Sequence, residues 1–157
     1  MYTCWVPTGE DLPQDGGRWW KAVDGSGLRG YNAAAVLDTR WEPLELLTDM
    51  PGASAGARCD FFYVVETDIP PDSENDFNAW YETEHLPGLS QVPGTVRARR
   101  YRRMQGGPRY MACYDLVTPA AMGSPAWLSV RNTPWSSRLR PLFRNARRTL
   151  HTLYTVT

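Results

Sequence analysis

The sequence predicts an α+β fold in which strands and helices follow the order β-α-β-β-α-β from residue 58 onward. Three observations predict it: short aromatic and β-branched runs are typical of buried strands, one segment has the apolar spacing of a helix, and Ser/Thr-Pro pairs mark further helix starts. This order is that of the split βαβ, or ferredoxin-like, unit, a four-stranded antiparallel sheet with two helices on one face. We assign residues 58–157 to this domain and residues 1–57 to an N-terminal β-rich extension or a degenerate half-repeat.

The N-terminal segment is rich in Gly and Asp turn signals, which separate short apolar pieces. Residues 30–38 are predicted to form a strand, and residues 41–50 a short helix that ends at Pro51. In favour of a half-repeat, residues 27–38 loosely resemble residues 107–115.

The domain proper is predicted to begin with a strand and a helix. Residues 59–66 form an aromatic and β-branched run that two prolines follow, as is typical of a buried strand. The apolar spacing then becomes helical, with Asp72 or Ser73 as the N-cap. We expect this helix to stop at residues 86–88, where the sequence is Leu-Pro-Gly.

The remaining elements are a hairpin, short helices and a last strand. Alternating apolar and polar residues predict a strand at 95–103, and a second strand at 110–117 is expected to follow the Gly-Gly-Pro turn as the other half of a hairpin. Three pairs place a capping hydroxyl before a proline suited to the first helical position: Thr118-Pro119, Ser124-Pro125 and Thr133-Pro134. Pro141 is expected to kink or break the last helix, and residues 150–156 to form the final strand.

Composition excludes several classes of protein. The chain has 157 residues, 42% of them hydrophobic, and no apolar run near the roughly 20 residues that span a bilayer. No basic segment followed by an apolar stretch marks a secretory signal, so a cytoplasmic location is expected. Cys4, Cys59 and Cys113 form no C-x-x-C pair, which argues against a disulfide framework and a zinc site.

The net charge is zero, but the charges are segregated along the chain. Residues 1–79 hold 14 acidic and 5 basic residues, whereas residues 80–157 hold 3 acidic and 12 basic residues. Because the acidic part can neutralise the arginines, a nucleic-acid partner is not expected. We expect residues 1–57 to pack against the arginine-bearing strand or against the last helix, which carries the arginines of residues 138–148.

The two predicted helices cover one face of the sheet and leave the other uncovered. An uncovered apolar face is typical of an interaction site. We therefore expect two copies of the chain to pair through their sheets as a homodimer.

The most specific motif is the string W-Y-x-x-E-H-L-P, from Trp80 to Pro87, at the end of the first predicted helix. With Val92-Pro93-Gly94 and Arg99-Arg100-Tyr101 after it, this string resembles the dimeric α/β-barrel superfamily, especially its EthD-like branch. The resemblance covers residues 58–157 and implies a cleft between sheet and helices that binds small aromatic or polyketide-derived molecules. The activities it implies are isomerisation, dehydration, cyclisation, decarboxylation and cofactor-free oxygenation, and some members bind haem.

His85 is the strongest catalytic candidate, because an imidazole with a pKa near ~6.5 gives and takes protons at neutral pH. Glu84 next to it, or Glu82, is expected to orient the ring. The alternative is that His85 caps the C-terminus of the helix, where the dipole favours an imidazolium. Tyr101 completes the predicted catalytic set as a phenol that stabilises an enolate or phenolate. His151 is expected to be structural or a pocket wall.

Aromatic rings and arginines make up the predicted substrate-binding set. Its members are Tyr63, Trp80, Tyr81, Arg97, Arg99, Tyr110, Tyr114, Trp127 and Trp135. The rings can surround an apolar cavity, or they can pack in the core instead. The arginines can hold a carboxylate or phenolate of the substrate, or they can lie on solvated faces and form salt bridges.

No dinucleotide-binding, P-loop, zinc-protease or serine-hydrolase motif occurs, and two isolated histidines argue against a metal site, so we expect no cofactor and no metal. The predicted function is cofactor-free proton-transfer chemistry: dehydration, cyclisation or isomerisation of an aromatic or polyketide-like substrate. The alternatives are a cofactor-free or haem-linked monooxygenase and a non-catalytic ligand-binding or stress-response module. The expected partners are a small-molecule substrate and a second copy of the chain, with no nucleic acid and no membrane.

Overall fold

A computed structural model describes residues 2–7 and 43–156, and their strands form one antiparallel sheet. The strands are β1 (Tyr2–Pro7), β2 (Leu44–Pro51), β3 (Phe61–Asp68), β4 (Thr95–Arg103), β5 (Tyr110–Leu116) and β6 (Arg144–Val156). Their order across the sheet is β1-β6-β3-β5-β4-β2.

The four strands of the predicted domain lie in the centre of the sheet, in the order β6-β3-β5-β4. The predicted antiparallel α+β unit is therefore confirmed. β4 has the predicted bounds, β3 is shifted by two residues, and β6 begins six residues earlier than expected. Because β6 begins early, Arg144, Arg147 and Arg148 lie on a strand, and their predicted place on a helix is wrong.

Residues 41–50 were predicted as a helix, and this prediction is wrong, because β2 occupies Leu44–Pro51. β2 pairs antiparallel with β4 along its length. Leu47 and Met50 pack against the helix-side core, while Glu45 and Asp49 lie beside arginines of β4. The pairing with β4 overrides the helix propensity of Leu and Glu, since the fit to a half-buried sheet decides a strand.

The two edge strands come from the N-terminal segment. β1 pairs with β6 at one edge, and β2 with β4 at the other. The predicted strand at residues 30–38 and its resemblance to residues 107–115 lie outside the described residues. The division of the chain at residues 57 and 58 stays a prediction.

Four short helices lie on one face of the sheet. They are α1 (Glu74–Trp80), α2 (Leu86–Ser90), α3 (Pro125–Arg131) and α4 (Pro134–Leu139), with 3-10 turns at Pro71–Ser73, Pro119–Gly123 and Arg140–Leu142 and a π turn at Tyr81–His85 between α1 and α2. Within the described ranges, no helix is long and apolar enough to cross a membrane.

The first helical segment runs past its predicted end. The π turn carries α1 into α2, where the N–H of Leu86 donates to the carbonyl of Tyr81, five residues back. Pro87 does not end the helix, because it falls in the first turn of α2, where a missing N–H costs little. The predicted side-chain cap at Ser73 is also wrong, since its hydroxyl makes no capping hydrogen bond.

The three Ser/Thr-Pro pairs do begin helical turns, as predicted. Thr118 accepts a hydrogen bond from the Ala120 N–H, Ser124 from the Trp127 N–H and Thr133 from the Ser136 N–H. The first of these turns is 3-10 rather than α-helical. The predicted break at Pro141 is confirmed, because α4 ends at Leu139 and a 3-10 turn follows.

The two faces of the sheet carry separate apolar clusters. The helix side holds the larger one, with Phe77, Trp80 and Leu86 fully buried. On the opposite face Phe62, Val64, Met111 and Cys113 are each at most 3% exposed in the single chain. The expected pairing of two copies through this face stays a prediction.

Ion pairs confirm that part of the N-terminal segment packs against the arginine-bearing strand. Asp49 of β2 accepts two hydrogen bonds from Arg97 of β4, one of them 2.8 Å from Nε to Oδ1. Glu45 accepts from Arg102 Nε at 2.7 Å. Acidic residues of the first half of the chain thus lie against basic residues of the second half.

Candidate active site

A cavity of about 200 Å³ lies between the helix side of the sheet and the helices. Its aromatic wall consists of Tyr63, Trp80, Tyr81, Tyr114, Trp127 and Phe143, and Val65, Leu89 and Met122 add aliphatic surface. Three arginines and His85 supply its charged and titratable groups. Five of the predicted substrate-binding residues and the first predicted catalytic residue therefore lie around one cavity.

His85 is held in this cavity by rings. It lies on the π turn, stacks on Trp80 with ring centroids 4.1 Å apart, and meets the Tyr81 ring edge-on at 5.3 Å. The side chain is 8% exposed, and its Nδ1 is buried with no hydrogen-bond partner. Isolated π turns frequently occur at functional sites, and here the turn brings a polar ring into an apolar wall.

The surroundings of His85 keep its imidazole neutral. Burial, together with the smaller effect of the positive charges of Arg140 and Arg131, lowers its pKa from 6.5 to about 3. The alternative that His85 caps a helix C-terminus as an imidazolium is wrong, because His85 lies inside a helical segment that continues to Ser90.

Glu84 does not orient His85, in contrast to the prediction. Its Oε1 accepts hydrogen bonds from Trp80 Nε1 at 3.1 Å and from Thr133 Oγ1 at 2.6 Å. Glu84 therefore ties the first helical segment to the start of α4, and Glu82 is exposed. Within the described ranges, no carboxylate hydrogen-bonds His85.

Tyr114 adds a second polar atom without a partner. It is 1% exposed, and its hydroxyl makes no hydrogen bond. Its ring lies 6.1 Å from that of Tyr63 and 5.3 Å from that of Trp127, between centroids. Burial raises the pKa of Tyr114 well above its usual value, so the hydroxyl keeps its proton and can donate to a bound molecule.

The other predicted tyrosines lie outside the cavity. Tyr101 packs with the apolar cluster on the opposite face of the sheet, which places it away from His85. The Tyr110 hydroxyl donates to Glu74 Oε1 at 2.5 Å and lies 3.4 Å from Asn78 Nδ2. Neither phenol can act on a molecule bound in the cavity beside His85.

Arg97, Arg99 and Trp135 are likewise outside the cavity. Arg97 pairs with Asp49, and Arg99 Nη2 lies 2.6 Å from Asp115 Oδ1. For these arginines the salt-bridge alternative is the one observed. The Trp135 Nε1 donates to Asp76 Oδ1 at 3.0 Å. His151 is buried on the opposite face, with Nδ1 3.3 Å from the Phe62 carbonyl oxygen.

Sequence reasoning missed the three arginines of the cavity: Arg131, Arg140 and Arg148. They come from the end of α3, from the 3-10 turn after α4 and from β6. Burial and the repulsion of the other two arginines lower the pKa of Arg140, so the three charges lie close together. The signal that could have found them is the surplus of arginines over acids after residue 80.

A fourth arginine lies behind the aromatic wall. The Arg100 guanidinium is buried and lies 4.4 Å from the ring centroid of Tyr81 and 4.9 Å from those of Phe77 and Tyr110. Its Nη2 donates to Asn78 Oδ1 at 2.6 Å, but Nε and Nη1 have no partner. Among the described residues, no carboxylate forms an ion pair with Arg100, so its charge adds to the positive potential around the cavity.

A larger hollow, of about 560 Å³, lies open to solvent beside β2 and β4. Its charged residues Asp49, Arg97 and Asp115 are ion-paired within the chain. None of the described residues that line it has a buried polar side-chain atom without a partner, unlike His85 and Tyr114 in the smaller cavity. In the part of the chain that the structure describes, no group of three or more His, Cys, Asp or Glu side chains could hold a metal ion.

No protein-family model and no curated protein matches this sequence, but chains of solved structures match its fold. A candidate monooxygenase from Fusobacterium nucleatum has a TM-score of 0.57 and 8% identity, and the match covers 78% of this chain and 56% of that chain. An anthrone oxidase-like protein has a TM-score of 0.50 and 14% identity, and the match covers 73% of this chain and 55% of that chain.

At these identities the similarity shows the fold alone. The α+β fold of this chain is similar to the folds of these two proteins. The match takes in about half of the length of the two solved chains.

Proposed function

We propose that this protein oxidises a small aromatic carbon acid with molecular oxygen inside the cavity. The observation that carries the proposal is His85: a buried, neutral imidazole whose Nδ1 has no partner, in an aromatic cavity that also holds unpaired arginines. The names of the two similar structures favour oxidation over dehydration, cyclisation or isomerisation. Membership of the EthD-like branch is a narrower proposal, which rests on the motif between Trp80 and Pro87.

The first step is removal of a proton from the substrate. The neutral imidazole of His85 accepts a proton from an acidic C–H group, and the negative charge left on the substrate is stabilised by a hydrogen bond from the Tyr114 hydroxyl and by the positive potential of the arginines around the cavity. An anion in the cavity also offsets the repulsion between these arginines and an imidazolium. Substrate binding therefore raises the pKa of His85 from about 3 and makes the imidazole a stronger base.

The second step uses the electrons of the carbanion. The carbanion adds O₂ to give a peroxide anion, whose terminal oxygen takes the proton from His85, and a hydroperoxide forms on the same carbon. Loss of water then breaks the O–O bond and the second C–H bond and leaves a ketone. A CH₂ group and O₂ thus become a carbonyl group and water, and His85 returns to its neutral form.

The haem-linked alternative does not fit the cavity. Sites for drug-sized ligands occupy roughly 300–1,000 Å³, and the cavity of about 200 Å³ is smaller than this range. The Trp80 indole also covers one face of the His85 ring. The cavity matches a molecule of one or two fused aromatic rings.

The test is oxygen uptake by the full chain with 2-indanone, a two-ring carbon acid. We expect uptake of O₂ and transfer of ¹⁸O from ¹⁸O₂ to the product. His85→Gln should lower kcat by roughly 10² to 10⁴, whereas Glu82→Gln, an exposed neighbour, should leave it unchanged.

Three outcomes contradict the proposal. Conversion of substrate without oxygen uptake indicates proton-transfer chemistry alone, and binding without any conversion indicates a ligand-binding module. Full activity of His85→Gln would show that His85 takes no part in the reaction.

A further inference from the structure

Six arginines of the strands, the β4–β5 loop and the helices form ion pairs with carboxylates, whereas the three described arginines that line the cavity do not. Within the described residues, ion pairs join Arg97 to Asp49, Arg99 to Asp115, Arg102 to Glu45, Arg103 to Glu66, Arg109 to Glu74 and Arg138 to Asp76. Arg131, Arg140 and Arg148 have no such pair, and no carboxylate of the described residues lines their cavity. Three cations that repel one another are therefore gathered without a counter-charge.

The three guanidinium groups converge from separate elements. Arg148 is the cross-strand neighbour of Val65, and both line the cavity from the sheet. Arg131 and Arg140 line it from the helical layer. Arg131 and Arg148 are exposed and Arg140 is half-buried, so an anion can reach all three cations and reduce their repulsion. The arrangement therefore points to a ligand.

We propose that Arg131, Arg140 and Arg148 form a subsite for the carboxylate of an aromatic acid, whose ring lies against the aromatic wall of the cavity. This inference rests on the proposed function, since it names the substrate class of the same site. A planar carboxylate matches the guanidinium fork with two parallel hydrogen bonds.

A phosphate is a weaker match to the subsite. Phosphate sites commonly add the free N–H groups of a helix N-terminus, but Arg131 is the last residue of α3 and Arg140 follows the end of α4. Helix ends of this polarity present carbonyl oxygens instead. The donors at the subsite are therefore the guanidinium groups.

Binding of 2-naphthoate to the full chain, measured by calorimetry at pH 7, tests this subsite. The neutral isostere 2-naphthamide should bind at least about tenfold more weakly, because it lacks the charge. Arg131→Gln, Arg140→Gln and Arg148→Gln should each weaken 2-naphthoate binding about tenfold, and added salt should weaken it in the unchanged protein. Arg147→Gln is the matched control, since Arg147 is the exposed neighbour of Arg148 and points to the other face of β6.

Equal affinities for 2-naphthoate and 2-naphthamide would overturn the subsite. So would a loss of binding in Arg147→Gln as large as that in Arg148→Gln. Tenfold tighter binding of 2-naphthyl phosphate than of 2-naphthoate would overturn the choice of a carboxylate. The two proposals can fail separately. The binding of 2-naphthoate tests the subsite and involves no oxygen uptake, whereas the oxygen-uptake test uses an uncharged substrate and does not depend on carboxylate binding.

Discussion

His85 lies among aromatic rings and near two arginines, and this setting makes the free energy of unfolding depend on pH. The unfolded chain takes up a proton at His85 as pH falls below 6.5, whereas the folded chain does so only near pH 3. The contribution of His85 to stability is therefore complete above pH 6.5 and is lost as pH falls towards 3. At pH 5 we expect a loss of about 2 kcal/mol from this group.

The measurement is urea unfolding at pH 7 and pH 5 for the unchanged chain and for His85→Gln. The difference in unfolding free energy between the two pH values should be smaller in the variant. An identical difference in both proteins would show that the imidazole is not held neutral by the fold. Other groups titrate equally in the two proteins, so the comparison isolates His85.

Single residues were predictable where their chemistry does not depend on partners. The rings and the histidine between Trp80 and His85 stand out in sequence because few other residue types stack or exchange protons. The roles of Arg97 and Arg148 were not predictable. An arginine is neutralised or free according to which carboxylate a distant strand brings to it, and sequence spacing does not give that pairing.

At the scale of elements, Gly52 shows how closely β2 is joined to β4. Its N–H donates to the Val96 carbonyl at 2.9 Å, and a Cβ added to Gly52 would lie 2.1 Å from the Thr95 carbonyl oxygen. We expect Gly52→Ala to lower the unfolding free energy by about 2 kcal/mol, since the backbone of β4 cannot move aside cheaply. Urea unfolding measures this loss.

Gly123→Ala is the control for that variant, because a Cβ there meets nothing within 4 Å. A Gly52→Ala chain as stable as Gly123→Ala would mean that the end of β2 is not fixed to the sheet.

The pairing of β2 with β4 also explains why residues 41–50 were wrongly predicted as a helix. Residues 44–50, Leu-Glu-Leu-Leu-Thr-Asp-Met, are compatible with either state, and only the exposed edge of β4 favours the strand.

At the scale of the whole molecule, ion pairs join acidic and basic residues from distant parts of the chain. Glu66 and Arg103 form the most buried of these pairs, with side chains 3% and 4% exposed and Nη2 3.0 Å from Oε1. Asp49 and Arg97 form an exposed pair. We expect Glu66→Gln to lower the unfolding free energy by about 3–5 kcal/mol and Asp49→Asn by less than about 1 kcal/mol.

Thermal unfolding of the two variants at low and high salt checks this ranking. Salt should reduce the small effect of Asp49→Asn and leave that of Glu66→Gln almost unchanged, because buried charges are poorly screened. Equal effects of the two substitutions would contradict it. The sequence shows the segregation of charge and predicts contacts between the N-terminal segment and the sheet. It does not show which ion pair is buried.

The π turn at Tyr81–His85 acts as a one-residue insertion in a helix. A regular helix advances about 100° per residue, so one extra residue shifts the phase of everything after it. Trp80 therefore has two neighbours in the next helical turn: Glu84 accepts a hydrogen bond from the edge of its indole, and His85 covers the face of the indole. Since Leu86 and Leu89 remain in the buried stripe, the insertion adds a polar ring to an apolar helix face without displacing an apolar one.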